Sequence, residues 1–172
     1  QLSANDIDGD ALTYTASSTE GSLSIIGSTL SLSPDQDYNG DIQIDVTVDD
    51  GELDDSGSFT LTVNPVNDAP VLDIITEQSI DEDNIFTYEL SAIDIDNTNL
   101  EYTALVDDNA SISIDGYTLS IAPDNNYNGS IAIDVLVNDG ELTDTGTFIL
   151  TVNPVNDTPV LDIIVEQSVD ED

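Results

Sequence analysis

Closely spaced carboxylates are the residues of this sequence whose types and spacing could do chemistry. Asp6, Asp8 and Asp10 stand two residues apart, as do Asp94 and Asp96. Two carboxylates held about 4 Å apart repel by roughly 1 kcal/mol in water and roughly 4 kcal/mol near a protein surface. The sequence has 37 Asp and Glu residues but no Lys, Arg or His that could neutralise them. Such pairs therefore either stay apart or share a bound cation, and oxygen ligands of this kind suit hard cations, chiefly Ca²⁺.

The same composition narrows the classes of function. A formal charge of -37 without basic side chains disfavours binding to nucleic acid and to anionic membranes, because both depend on Lys and Arg. The absence of His and Cys removes the usual general bases, nucleophiles and zinc or iron ligands. No apolar run approaches the roughly 18 residues that a membrane helix needs, so we expect no direct membrane insertion.

A glycosidase built on a pair of acids is the one enzymatic activity that the composition leaves open. The general acid of such an enzyme needs a shielded pocket to raise its pKa. The acids of this chain instead fall in Asn-, Gly- and Asp-rich segments that are typical of open loops. We therefore expect that the protein is not an enzyme.

The sequence contains a tandem repeat. The segment VNPVNDAPVLDII begins at Val63 and returns as VNPVNDTPVLDII at Val152, an offset of 89 residues. An earlier segment, LSANDID at Leu2, matches LSAIDID at Leu90 with an offset of 88 residues. A period of this length suits a whole small domain repeated in series.

Alternation of apolar and polar residues predicts an all-β fold. Apolar residues alternate in four stretches of the second unit and form shorter runs in three more, at 86–92, 100–106, 131–137, 148–152, 71–75, 112–114 and 119–121. A period of two is typical of half-buried strands. About seven short strands in such a unit predict a two-sheet antiparallel β-sandwich of immunoglobulin-like shape. A closed barrel would suit a linear array less well, because the ends of each unit must join its neighbours.

The register of the repeat predicts three segments. Residues 1–70 form a repeat that lacks its first strand, residues 71–159 form a complete repeat, and residues 160–172 form the first strand of a following repeat. Both chain ends therefore cut through a unit, which is typical of a window in a longer array. Alternatively, strand 160–172 of one copy completes the first unit of the next copy, which would give head-to-tail polymerisation by strand addition.

On this topology the acids are expected in loops at the two ends of each sandwich. The end toward the preceding linker is here called the leading end, and the end toward the following linker is called the trailing end. The candidate metal ligands of the first unit are Asp6, Asp8, Asp10, Asp50 and Glu52 at the leading end and Asp35, Asp37, Asn67 and Asp68 at the trailing end. Those of the second unit are Asp94, Asp96, Asp139 and Glu141 at the leading end and Asp81, Glu82, Asp83, Asp124, Asn156 and Asp157 at the trailing end. Calcium takes six to eight oxygens at about 2.3 to 2.6 Å, so we predict calcium sites where a trailing end, a linker and a leading end meet.

Two plainer interpretations apply to some of the acids. Acids that stand singly in or beside strands, such as Asp134, are expected to be solvated surface that keeps the chain soluble. Asp and Asn also form turns, an interpretation that is strong for Asn39-Gly40 and Asn128-Gly129. It is weaker for the Asp-x-Asp pairs, because side chains two apart in an extended loop can converge on one ion.

These motifs resemble those of a known family. Asn67-Asp68-Ala69-Pro70 resembles the calcium-binding linker of cadherins, and so does Asn156-Asp157-Thr158-Pro159. Asp94-x-Asp96 resembles the cadherin D-x-D motif, Asp50-Gly51 and Asp139-Gly140 resemble the D-x-G loop, and Asp81-Glu82-Asp83 stands in the place of the acidic motif after the first strand. A cadherin mid-domain acidic motif that contains Arg has no equivalent here. With its YNG loops and TVNPVNDAP ending, the chain resembles most the bacterial cadherin-like tandem repeats of large secreted adhesins and surface proteins.

The resemblance implies cadherin-like sandwiches joined end to end and rigidified by interdomain calcium. We therefore expect a structural module of an extracellular adhesin or surface filament, with calcium, neighbouring repeats of the same chain and other copies in a filament as its partners. An Ig-like module that binds a glycan or a protein is the alternative. It has little support in the sequence, because no Trp is present and most of the six Tyr fall at core or turn positions.

Overall fold

The computed structural model describes residues 1–171, and the chain divides into two compact units at Gln1–Asn67 and Asp68–Asp172. All regular secondary structure in the described residues is β-strand, and no helix in that range is long and apolar enough to cross a membrane. The predicted all-β fold is confirmed. The segment bounds 1–70, 71–159 and 160–172 stay predictions: residues 154–171 form no strand, and Asp172 lies outside the described residues.

The first unit has five strands, β1 Thr13–Ser18, β2 Ser22–Ile26, β3 Thr29–Ser33, β4 Gly40–Asp49 and β5 Asp54–Val63. Strands β1, β4 and β5 form one antiparallel sheet in that order, and β2 and β3 form a hairpin. The hairpin turns at Gly27, whose φ of 62° is the left-handed conformation that glycine adopts without steric cost.

The second unit has nine strands, β6 Val71–Leu72, β7 Gln78–Asp81, β8 Phe86–Glu89, β9 Ala92–Ile93, β10 Glu101–Val106, β11 Ala110–Asp115, β12 Thr118–Pro123, β13 Gly129–Asn138 and β14 Thr143–Asn153. One sheet has the order β10-β13-β14-β7, a second has the order β11-β12-β8, and β6 pairs with β9. The predicted first strand is therefore split in two. Its first half, β6, is antiparallel to β9, and its second half, β7, is parallel to β14, which is the exception to an otherwise antiparallel arrangement.

The core of the second unit follows from the alternation of its strands, since every second side chain of β13 and β14 faces inward. Its buried apolar members are Leu72, Leu90, Leu119, Ile121, Ile131, Ile133, Val135, Val137, Phe148, Leu150 and Val152. Phe148 packs against the rings of Phe86 and Tyr88 at centroid distances of 6.3 and 6.5 Å. The core thus depends on β6 and β8 as well as on the two long strands.

The first unit buries much less. Of its described apolar residues only Ile42 and Ile44 reach the buried class. Phe59 is 44% exposed, whereas Phe148 at the same repeat position is 4% exposed. In the second unit the rings of Phe86 and Tyr88 pack against Phe148, and residues 1–67 hold no counterparts of these two side chains.

Asp144, near the start of β14, fastens β6 to the second unit. Its Oδ2 accepts a hydrogen bond from the Leu72 N–H at 2.9 Å, and its Oδ1 accepts one from the Thr145 N–H at 2.8 Å. The bond from Leu72, followed by that from Thr145, lowers the pKa of the Asp144 carboxyl below its ordinary value of 3.8. The charged form of Asp144 is therefore the one that stabilises this contact.

D144N is expected to destabilise the second unit at neutral pH and to lose this effect in acid. Because the folded pKa is depressed, the stabilisation is complete above the unfolded value of 3.8 and is lost as the pH falls through the folded pKa. Denaturant unfolding across a pH series should show the two free energies of unfolding converging below about pH 4. D55N is the matched control, since Asp55 accepts the N–H of its neighbour Ser56 at 2.9 Å. A difference between D144N and wild type that stayed constant with pH would contradict this account.

Candidate metal centre

The Asp94 loop, which follows β9, is built on one carboxylate oxygen. Asp94 Oδ1 accepts hydrogen bonds from the N–H groups of Asp96 at 2.8 Å and Asn97 at 2.6 Å. The other oxygen, Oδ2, is buried and has no hydrogen-bond partner among the protein atoms. A buried anionic oxygen without a donor is costly, and this chain has no basic side chain to supply one.

Asp96, two residues further on, holds the main chain where the second unit begins. Its Oδ2 accepts a hydrogen bond from the Asp68 N–H at 2.8 Å. Asp68 is the second residue of the Asn67-Asp68-Ala69-Pro70 motif. The predicted proximity of this motif to the Asp-x-Asp loop is thus a direct contact within the second unit.

Asp139 occupies the turn between β13 and β14 and has the same local role as Asp94. Its Oδ1 accepts hydrogen bonds from the N–H groups of Glu141 and Leu142, both at 2.7 Å. Asn138 Oδ1 accepts the N–H of Gly140 at 2.6 Å, and Gly140 has a φ of 108°. The Glu141 side chain is exposed, so Asp139 defines the turn and Glu141 extends from it.

The first unit repeats both loops. Asp6 Oδ1 accepts the N–H groups of Asp8 at 2.9 Å, Gly9 at 2.7 Å and Asp10 at 3.0 Å. Asp50 Oδ1 accepts those of Glu52 and Leu53 at 2.8 Å. The hydrogen bond from Asp10 is the main cause that lowers the pKa of Asp6.

The pKa of Asp50 is likewise lowered, chiefly by the bond from Leu53. The negative charge of Asp50 opposes the lowering of the pKa of Asp6, and both residues line the same groove of the first unit.

Glu82, between β7 and β8, is the buried charged residue of the described chain, with 5% of its surface exposed. Its Oε1 accepts the N–H of Val155, and its Oε2 accepts the Asn128 Nδ2 at 3.4 Å. Neighbouring Asp83, at a φ of 63°, accepts the N–H of Asn126 at 3.0 Å. Glu82 therefore holds the following linker at the trailing end, as Asp96 holds the preceding one at the leading end.

The other trailing-end candidates are less closely engaged. Asp81 Oδ1 accepts the Asn153 Nδ2 at 3.4 Å. Asp124 uses its main chain in the turn to Tyr127 at 3.0 Å, while its side chain is exposed. Asn156 and Asp157 are exposed, and Asn156 Nδ2 donates a hydrogen bond to the Asp157 carbonyl at 3.1 Å.

In the first unit, Asp35 and Asp37 are exposed and form a turn. The carbonyl of Asp35 accepts the Tyr38 N–H at 3.2 Å, and Asp37 adopts a φ of 58°. Asp37 Oδ2 accepts the neighbouring Gln36 Nε2 at 3.1 Å. These two carboxylates shape the turn before β4.

The described residues 1–171 contain no group of three or more acidic side chains close enough to hold a metal through carboxylates alone. Calcium sites also use main-chain carbonyls, Asn side chains and water. The oxygen-only donors and the unpartnered Asp94 Oδ2 fit calcium in chemical type.

Sequence reasoning understated one role and missed another residue. The turn-forming interpretation judged weaker for the Asp-x-Asp pairs describes the first Asp of each pair well, because that residue caps its loop. Asp144 was not singled out, although its counterpart Asp55 lies 89 positions earlier and the repeat carries this signal. In the Asp6 and Asp94 loops, one carboxylate oxygen of the first Asp accepts the main-chain N–H groups, and the second oxygen is not needed for that purpose.

The sequence matches the profiles of two known families. A sequence profile described as a cadherin-like domain matches residues 66–153, half of the chain. The chain belongs to the cadherin-like family. A second profile, described as a bacterial Ig domain, matches residues 1–64 of this cadherin-like chain. The predicted resemblance and the predicted tandem sandwiches are thereby confirmed.

Two solved protocadherin structures show the same fold. Two crystal forms of human protocadherin-24 EC1-2 match 92% and 90% of the cadherin-like chain and 87% of their own, at 18% and 15% identity and TM-scores of 0.59 and 0.55. An endo-fucoidan hydrolase of glycoside hydrolase family 107, MfFcnA4, matches at 22% identity and a TM-score of 0.39, and the chain spans 24% of its length. No curated protein matches. Tandem Ig-like and cadherin-like domains are typical of secreted and surface proteins, and the modules detected here are non-catalytic ones.

Proposed function

We propose that this chain is a calcium-binding structural spacer of a secreted or cell-surface adhesin or filament. The observation that carries the proposal is the buried, unpartnered Asp94 Oδ2 in a loop whose next acid, Asp96, holds the main chain of Asp68. A cation at Asp94 would supply the positive charge that the sequence lacks. It would do so beside Asp68, whose N–H already binds Asp96 at the start of the second unit.

The ligands proposed at the leading end of the second unit are Asp68, Asp94, Asp96 and Asp139. The capping oxygens of Asp94 and Asp139 already accept two main-chain N–H groups each and so fix both loops, while Asp94 Oδ2 has no hydrogen-bond donor among the protein atoms. Loops organised in advance reduce the cost of ordering ligands when an ion binds. Glu141, in the exposed loop, would supply a further carboxylate. Main-chain carbonyls and water would supply the remaining oxygens of a calcium shell.

A second set is proposed at the trailing end, around Glu82, Asp83, Asn156 and Asp157. Glu82 is 5% exposed yet carries a carboxylate, and its bond to the Val155 N–H ties it to the following linker. A buried carboxylate without a basic partner is unusual, because burial of a charge requires compensation. The equivalent first-unit sets are Asp6, Asp8, Asp10, Asp50 and Glu52 at the leading end and Asp35, Asp37 and Asn67 at the trailing end.

The functional consequence proposed is stiffening. Calcium would neutralise repulsion among carboxylates near residues 64–70 and restrict the motion of that linker, turning a chain of small domains into an extended stalk. Extracellular modules bind calcium with dissociation constants of roughly 10⁻⁴ to 10⁻³ M. That range suits a protein that meets millimolar calcium outside the cell, and for this reason we propose a secreted or cell-surface location.

Calcium titration and solution scattering test the proposal. Isothermal titration of the 172-residue chain should show saturable calcium binding in the range of roughly 10⁻⁴ to 10⁻³ M. Scattering should give a larger maximum dimension and a narrower distribution of shapes with calcium than with chelator. Cleavage by a broad-specificity protease within residues 64–70 should slow when calcium is present.

Magnesium at equal concentration is the control for ionic strength and divalent charge, because it demands near-ideal octahedral geometry and dehydrates reluctantly. If magnesium reproduced every calcium effect, the effects would be those of general charge screening. Superimposable scattering profiles in calcium and in chelator would rule out the stiffening role, even if calcium bound.

A further inference from the structure

The second unit carries an open groove of about 380 Å³ where the β8–β9 connection, the start of β10 and the β11–β12 turn meet. Its floor is apolar, because Leu90 belongs to the core and Leu100 packs against that core. Hydroxyl-bearing side chains also line the groove, namely Ser91, Thr98, Tyr102 and Tyr117. Its volume lies in the usual range of ligand sites, roughly 300 to 1,000 Å³, and such sites combine apolar surface with a few polar groups.

Tyr117 supplies an exposed aromatic ring at the edge of this groove. It stands in the turn between β11 and β12 and is 60% exposed, whereas the other tyrosines of residues 1–171 are partly buried. Its carbonyl accepts the Leu90 N–H at 2.8 Å, so the main chain of the turn is fixed against the floor of the groove. A tyrosine ring that is apolar on its face and polar at its tip is typical of binding surfaces.

The first unit shows that the fold does not require this ring. Ser28 stands at the position of Tyr117, 89 residues earlier, in the turn between β2 and β3. The carbonyl of Ser28 accepts the Leu2 N–H at 2.7 Å, which is the same contact that Tyr117 makes with Leu90. A serine therefore serves the turn as well as a tyrosine does, and the exposed ring of Tyr117 has no structural role there that Ser28 lacks.

The groove is neutral, although the chain around it is strongly acidic. No Asp or Glu of the described residues lines it, whereas the whole sequence has a net charge of -37. The first unit has Asp10 at the position of Thr98, so the repeat pattern allows a carboxylate where this groove has a hydroxyl. A cation would be attracted to the acidic loops instead, and the charge of the chain repels an anion. The groove therefore suits a neutral ligand.

The hydroxyl groups of the groove can both donate and accept hydrogen bonds. Burial, the largest cause, raises the pKa of Tyr102 above its ordinary value of 10.0, and the negative charge of Asp73 acts in the same direction. The Tyr102 hydroxyl therefore keeps its proton in neutral solution and remains a donor. Together with Ser91 and Thr98 it gives the groove three hydroxyls of this kind, which suit a ligand that is itself rich in hydroxyls.

We propose that this groove is a binding site for a neutral saccharide, with Tyr117 as the platform on which one sugar ring stacks. A pyranose ring has C–H groups on its faces and hydroxyls around its edge. The C–H groups carry partial positive charge and meet the negative face of the Tyr117 ring, while the edge hydroxyls bond to groups such as Ser91 and Thr98. The site is separate from the proposed calcium site, because no groove residue is a candidate metal ligand. It would add contact with a glycan to the role of a spacer.

Three variants of the full chain separate stacking on the ring from general loss of exposed apolar surface. Y117S removes the platform and leaves a residue that the same turn accepts in the first unit, whereas Y117F keeps the ring and removes its hydroxyl. L105S is the matched control, because Leu105 on β10 is 73% exposed and does not line the groove. Both positions are exposed, so none of these changes is expected to unfold the second unit.

Titration of the chain with oligosaccharides, followed through its amide resonances, tests the proposal. The probes are neutral gluco-, galacto-, manno- and xylo-oligosaccharides at millimolar concentration, in calcium and again in chelator. We expect at least one of them to perturb the resonances of Ser91, Thr98 and Tyr117 saturably in both solutions, whereas oligogalacturonates and sulfated galacto-oligosaccharides should not. Y117S should raise the dissociation constant of that probe by about tenfold, and Y117F and L105S by less than about twofold.

Absence of perturbation at the groove with every neutral probe would overturn the proposal. Equal losses of affinity in Y117S and L105S would also overturn it, because the Tyr117 ring would then have no special part in binding. Binding of the charged saccharides as tight as that of the neutral ones would contradict the assignment to a neutral ligand. Binding that occurs in calcium but not in chelator would assign the saccharide to a metal ion instead of this groove.

Discussion

Phe148→Ala is expected to lower the free energy of unfolding of the second unit by about 3 to 5 kcal/mol, the usual cost of removing a buried aromatic side chain. Phe148, on β14, is 4% exposed and packs against the rings of Phe86 and Tyr88. Its loss leaves a cavity that strands from both sheets cannot close without moving. Denaturant unfolding monitored by tyrosine fluorescence gives the free energy directly.

F59A is the matched control, because Phe59 occupies the same repeat position in the first unit at 44% exposure. Its removal should cost less than about 1 kcal/mol, in line with substitutions outside a packed core. Equal costs at the two positions would contradict this account, because they would show that Phe59 is as well packed as Phe148.

The main strands could be predicted because their pattern is long. β13 and β14 alternate over 10 and 11 residues, so period two identifies both the strand and the face that it buries. β6 and β9 have two residues each, which is too short for any period to be visible. The split of the first strand and the parallel pairing of β7 with β14 therefore come from tertiary packing. Leu72, for example, donates its N–H to Asp144 and lies with its side chain beside Gly146.

The loop positions of the candidate ligands could be predicted, and the contacts that they make there could not. The repeat placed Asp94 and Asp139 in loops, and both lie there with two main-chain donors on one oxygen. Which main-chain N–H groups each carboxylate caps depends on local backbone angles, and residue type alone does not specify these angles. The same limit explains why the burial of Glu82 was not foreseen, since Val155 and Asn128 reach it from distant parts of the sequence.

The second large effect concerns calcium and Asp94. A ligand that binds only the folded state stabilises it by RT ln(1 + [L]/Kd), which is about 1.4 kcal/mol at ten times Kd and about 2.7 kcal/mol at one hundred times Kd. Wild-type chain should gain a stabilisation of this size in the second unit when calcium is raised from chelator conditions. D94N should lose most of this gain, because its amide has the shape of the carboxylate but no negative charge for the ion.

The same variant should behave in the opposite way without calcium. The Asn oxygen can still accept the N–H groups of Asp96 and Asn97, so the loop keeps its cap. Removal of a buried, unpartnered anionic oxygen should leave D94N as stable as wild type in chelator, or more stable.

D134N is the matched control for net charge, because Asp134 is an exposed acid on β13, and it should retain the full calcium gain. If D94N and D134N gained equally from calcium, Asp94 would not be a ligand. A deep loss of stability for D94N in chelator would instead assign the Asp94 charge to the fold alone. A reversal of the D94N effect between chelator and calcium is the outcome that only a metal ligand produces, because a purely structural carboxylate has the same value in both solutions.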